Sequence, residues 1–112
     1  VSNQDDFEAP GSEEVEITIR GKTAKFILND VSGDEVTQLF APLQNTNPDK
    51  KLKAQRELKA NIIASMVTRA DGSTITFEEA SKFRIALQTK LEEAALKFNG
   101  LVPEADAEAK NG

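Results

Sequence analysis

The chain has 112 residues, a formal net charge of −5, and neither Cys nor His. That composition excludes disulfide staples, thiol chemistry, Cys/His zinc sites and every His-based triad, leaving only Asp, Glu, Lys or Ser for any catalysis. The length suits one small domain, and no apolar run approaches the roughly 18 residues of a membrane span, so a soluble cytoplasmic protein without a membrane partner is expected.

The charge is unevenly placed. Residues 1–14 hold Asp5, Asp6, Glu8, Glu13 and Glu14 with no base, and 103–112 hold three acids against Lys110. The intervening body holds 13 bases and 11 acids, a net +2. Both ends lack the apolar surface that would offset the entropy of ordering them. The expected organisation is an acidic flexible tail over 1–13, a single domain over 14–102 and a second flexible tail over 103–112.

In the body, "EEVEITIRGKTAKFILND" alternates as a hairpin does, with Val15, Ile17 and Ile19 before Gly21-Lys22 and Ala24, Phe26 and Leu28 after it. A type II′ turn on Gly21-Lys22 would pair Ile19 with Ala24, Ile17 with Phe26 and Val15 with Leu28, all on one face. Such a ribbon is marginal alone, so its apolar face must lie on helices. Ser32 and Glu35 have capping-box spacing ahead of Val36, Leu39, Phe40 and Leu43, which predicts a short helix ending near Ala41 because Pro42 follows. Asn47 and Pro48 open a second helix, expected to run to about Thr68 with a stripe of Leu58, Ile62, Ile63, Met66 and Val67. After Asp71-Gly72, Thr76 and Glu79 form another capping box. One long helix over 77–99 is then expected, its core stripe being Phe77, Ala80, Phe83, Leu87, Leu91, Ala94 and Phe98. The fold class is therefore α+β, mainly α: a hairpin over about 14–29 packed on helices over about 33–41, 48–68 and 77–99.

"LKFNGLV" closes the body. With Asn99 as C-cap and Gly100 left-handed, Leu96 and Leu101 take the two positions that meet in a Schellman motif. Ile85 lies on the same outer face as Leu96 but has no such local explanation. It either packs beneath the hairpin or marks a contact with another copy or a partner.

Motifs that would carry chemistry are weak. "DGSTITFEEA" resembles half of an EF-hand loop, with Glu78 at the twelfth position, but Val67 and Arg69 fall where two oxygen ligands are required. The basic run Lys50, Lys51, Lys53, Arg56 and Lys59 is read first as a solvated helix face, then as a docking surface for an acidic protein. Nucleic acid comes last, since no aromatic lies nearby to stack on bases. Glu78-Glu79 and Glu92-Glu93 are adjacent and cannot face one another as a dyad, and neither Ser65 nor Ser81 has an activating base. No enzyme, metal or cofactor is expected. Candidate partner-binding residues are Ile85, Lys53, Arg56 and Lys59.

Taken in order, the hairpin, the short helix, Asp71-Gly72, Phe77 at a helix start and Asn99-Gly100-Leu101 at a helix end resemble the tail assembly chaperones of long-tailed bacteriophages, over roughly residues 14–102. The resemblance implies a non-catalytic late protein of the host cell cytoplasm, absent from the mature virion. Such a protein keeps the tape-measure protein soluble while the tube assembles around it. It implies the tape-measure protein as partner, the tail-tube protein as a second candidate, and self-association. In that family a longer frameshifted product is common, and Lys110-Asn111 could be encoded by a slippery heptamer. The alternative is a small structural or adaptor protein of phage or bacterium that holds no client.

Overall fold

Residues flanking Arg20-Gly21 pair as an antiparallel hairpin in the computed structural model, which describes residues 11–101. The expectations for the segments 1–10 and 103–112, for Val102 and for Lys110-Asn111 fall outside the described residues. Strand β1 (Ser12–Ile19) runs against β2 (Lys22–Asn29), so Ser12 and Glu13, expected in the tail, belong to the sheet.

The turn differs from the one the sequence predicts. Its central residues are Arg20 and Gly21, with φ of 54° and 79°, the type I′ pattern instead of II′. Ile19 pairs with Lys22, Ile17 with Ala24 and Val15 with Phe26, an offset of two residues from the expected pairing. A I′ turn matches the right-handed twist of its strands, and Gly21 suits its second position. Because side chains alternate with a period of two, this offset leaves every apolar residue on its predicted face. The strain falls on Arg20, a side-chain-bearing residue in the left-handed region.

Helix α1 (Gly33–Phe40) is capped by Ser32, whose hydroxyl accepts from the Glu35 N–H at 3.2 Å. The reciprocal half of the predicted box is altered: the Glu35 carboxylate takes the Ser32 hydroxyl at 3.4 Å. A 3₁₀ turn (Ala41–Gln44) containing Pro42 follows. Helix α2 (Pro48–Met66) starts as predicted, with the Asn47 side chain accepting from the N–H groups of Asp49 and Lys50.

Helix α2 stops at Met66, short of the expected Thr68. Val67–Arg69 instead form a third strand, β3, antiparallel to Phe26–Leu28, giving a sheet of order β1-β2-β3. Val67 and Thr68 are β-branched and sit well on a pleated surface, and their pairing satisfies a β2 edge that would otherwise lie open. Val67 is buried here too, but as a strand residue against the sheet and not as part of a helical stripe. The chain then turns at Asp71-Gly72, with Gly72 at φ 89°, and returns past Thr74, which bridges to Thr68. Ile75, the residue after that bridge, is fully buried, an anchor the hydrophobic pattern did not single out.

The expected single helix over 77–99 is two helices, α3 (Phe77–Lys82) and α4 (Ile85–Phe98), separated by extended backbone at Phe83 and Arg84. No Pro or Gly marks this break. α3 packs along α2, whereas α4 packs on α2 and also on β1 and β2. One straight rod would have to serve both directions, and tertiary packing overrides the local preference. Two contacts hold the break: Gln88 Nε2 donates to the Ala80 carbonyl at 2.8 Å, and the Phe83 ring lies 6.5 Å from that of Phe26 at 58°. The core joins Ile17, Phe26 and Leu28 of the sheet to Ile62, Ile63, Met66, Val67, Ile75, Leu91 and Ala95.

The end of α4 follows the predicted motif. Gly100 has φ 71°, the Leu101 N–H bonds the Leu96 carbonyl at 2.8 Å, and the Gly100 N–H bonds that of Lys97 at 3.0 Å. Asn99 adds long-range contacts that no cap rule foretells. Its Oδ1 accepts from the Val31 N–H at 2.9 Å, and its Nδ2 donates to the Asn29 and Ala95 carbonyls at 3.1 and 3.0 Å. One amide thus ties the end of α4 to the chain leaving β2.

Two stability outcomes follow from these features. Arg20→Asn, which tolerates positive φ, should stabilise the chain by about 0.5–1 kcal/mol in urea unfolding. Asn99→Ala should destabilise it by about 1–3 kcal/mol, since it leaves part-buried backbone groups of Asn29 and Val31 without their partner.

Candidate functional site: a groove beside the hairpin turn

Burial along β2 falls steadily toward the turn. Leu28 is 3% exposed and Phe26 8%, but Ala24, on the same face, is exposed. The cause is the break at Phe83-Arg84: α4 begins at Ile85 and runs back under the middle of the sheet, so the turn end of the hairpin projects past its cover. A groove of about 340 Å³ opens there. Its floor is Ile17, Ile19 and Ala24 of the sheet with Leu87 of α4, and Arg20, Lys22, Thr23 and Arg84 line it as well. Its lining thus holds three cations and no acid. Lys90 adds a fourth positive charge close by, its Nζ donating to the Thr18 carbonyl at 2.9 Å on the outer edge of β1.

The arrangement can hold an apolar side chain flanked by negative charge. A separate, smaller concavity of about 170 Å³ lies between the 3₁₀ turn and α2, where Leu39, Pro42 and Leu43 meet Lys50, Lys53 and Glu57.

The structure does not bring the predicted partner-binding residues together. Ile85 is 65% exposed, so it does not pack beneath the hairpin, and it does not line the groove although Arg84 and Leu87 on either side of it do. Lys53 lines the smaller concavity, and Arg56 is exposed on α2. Lys59 is engaged within the fold: its Nζ lies 2.7 Å from Glu92 Oε1, a partly buried pair joining α2 to α4. Sequence reasoning missed Arg20, Lys22 and Arg84 as a cluster, and Leu87 was assigned wholly to the core. An Arg-Gly pair read as a I′ turn would have placed Arg20 and Lys22 at its corners; nothing local marks Arg84.

The turn around Asp71-Gly72 is built for geometry. Asp71 Oδ1 accepts from the Ser73 N–H at 2.9 Å, and hydrogen bonds from the Ser73 side chain and backbone hold its carboxyl below the ordinary range. Arg69, at the third position of the calcium-like loop, directs its guanidinium to the Thr74 carbonyl and to Glu79 Oε2, both at 2.9 Å. Glu79 also completes the capping box with Thr76. Its carboxyl is held below the ordinary value, first by the Thr76 backbone N–H and then by Arg69. Among the described residues no cluster of three or more His, Cys, Asp or Glu side chains could hold a metal. None of the described helices is long and apolar enough to cross a membrane.

A depressed folded-state pKa contributes stability above the unfolded value and loses it as pH falls. Thermal stability should therefore decline as pH drops through about 4.5 and below, and Glu79→Gln should flatten part of that acid limb in melts followed by circular dichroism.

Comparison of the chain with protein-family models, with curated proteins and with solved structures gives no match. The groove and the fold are therefore the basis for any functional conclusion.

Proposed function

We propose that this chain is a non-catalytic tail assembly chaperone of a long-tailed bacteriophage. It holds the tape-measure protein soluble in the host cytoplasm while tube subunits assemble around it, and it is left out of the finished virion. The observation that carries this reading is the open apolar groove at the hairpin turn, where exposed Ala24 and half-buried Ile19 and Leu87 continue the core outward from buried Ile17. A holdase for a long amphipathic helix needs such a surface, since helix-in-groove contact is made by apolar anchors at helical spacing. The order of Asp71-Gly72, Phe77 and Asn99-Gly100-Leu101 along the chain supports the same reading. Exposed Ile85 is a candidate second anchor beside the groove. The tail-tube protein is a further candidate partner.

Co-expression with the tape-measure protein tests the proposal. The tape-measure protein should move to the soluble fraction in the presence of the chain. Ala24→Glu, placed at an exposed position on the groove floor, should abolish most of that gain while leaving the circular dichroism spectrum unchanged. Ile85→Asp should reduce it in the same way. A tape-measure protein that is equally insoluble with and without the chain would refute the function.

A further inference from the structure

We propose that the groove at the hairpin turn binds the N-terminal segment "DDFE", Asp5 to Glu8, of a second copy of this chain, with Phe7 seated on Ile17, Ile19, Ala24 and Leu87. The match is chemical on both counts. The groove offers an apolar floor with Arg20, Lys22 and Arg84 around it. The segment offers one aromatic among Asp5, Asp6 and Glu8, three acids for three cations. An aromatic is an effective anchor for a small apolar recess because it buries a large area with few rotatable bonds, and opposite charge at the rim steers and orients it.

Chain length decides that the contact is made between copies. Phe7 precedes Gly11 by four residues, at most about 14 Å of extended chain. Gly11 lies at the open end of the hairpin, its carbonyl accepting from the Asp30 N–H, whereas the groove lies at the turn end. With β1 rising about 3.3 Å per residue, the floor runs from Ile17, roughly 20 Å from Gly11, to Ile19, roughly 26 Å away, and Arg20 at the rim is roughly 30 Å away. Phe7 therefore falls short of Ile19 and of the cations at the turn of its own groove, but it can reach those of a neighbour whose turn lies beside it. The segment 102–112 has the length to fold back in the same chain, yet it carries no aromatic and no apolar residue larger than Val102.

The charge on β1 disfavours the alternative, edge-to-edge pairing of that strand between copies. Glu13, Glu14 and Glu16 along β1 would meet one another if two such edges paired, and charge on an edge strand blocks that pairing. The acidic character of the N-terminal region thus repels at the strand and attracts at the turn.

Sedimentation of the purified full-length chain at low salt, without any client, tests the idea separately from the chaperone function. The average mass should rise above one chain with concentration, and Phe7→Ser should weaken that association about tenfold or more. A labelled peptide of residues 1–11 should bind the full-length Phe7→Ser variant saturably by fluorescence anisotropy. Binding should weaken with added salt, and it should be lost when Ala24→Glu or Arg84→Glu is combined with Phe7→Ser. A wild-type chain that stays monomeric, association untouched by Phe7→Ser, or a peptide that binds the groove variants equally well would overturn the proposal.

Discussion

The fold depends on what happens between Met66 and Val67. Helix α2 carries Ile62, Ile63 and Met66 into the centre of the molecule, and the next residue leaves the helix to pair with Leu28 in the sheet. Five buried side chains on these two strands and one helix end are thereby held in a fixed relation: Ile62, Ile63, Met66, Val67 and Leu28. Full burial of such a side chain contributes about 1.5–3 kcal/mol, so this junction concentrates much of the favourable energy of a small domain in one place. It also explains why the hairpin is stable at all. A two-stranded ribbon is marginal, and the short β3 turns it into a three-stranded sheet already attached to its helix.

The break at Phe83-Arg84 is the second consequence of that junction. Once the sheet is anchored to the C-terminal half of α2, the last part of the chain has two surfaces to cover, and they do not lie along one line. α3 stays on α2, and α4 turns to run beneath the strands, with Leu91 and Ala95 buried. Because α4 starts only at Ile85, the turn end of the hairpin is left uncovered. The groove is thus a by-product of how the core is closed, and its basic lining comes from three separate places: a strained turn residue, the first residue of β2 and the residue that caps α4.

Legibility from sequence varied with the range of the interaction. The caps were readable because they are chemistry within a few residues: Asn47 before Pro48, the Thr76 and Glu79 box, and the Leu96 to Leu101 closure all take the bonds their spacing implies. Hydrophobic alternation placed Val15, Ile17, Phe26 and Leu28 on one face, and that assignment survived an incorrect turn because a two-residue offset preserves the face. The α+β, mainly α class followed from those local patterns. The site was hardly readable. Ile85 stands out as an exposed apolar residue, but Lys59 is consumed by Glu92, and of the cations that line the groove Arg84 is more than sixty positions along the chain from Arg20 and Lys22.

By itself, the sequence determined where the first three helices begin and the last one ends, which strand faces are apolar, and that His and Cys chemistry is excluded, because each rests on composition or on groups a few residues apart. Tertiary structure alone decided the rest. Whether Val67-Thr68 continued a helix or joined a sheet depended on an open β2 edge forty residues earlier. Whether Phe83 lay within a helix or ended one depended on the separate surfaces that α3 and α4 cover, with the Phe83 ring packed by that of Phe26. Whether Asn99 merely capped a helix or tied it to Asn29 and Val31 depended on where that helix came to rest.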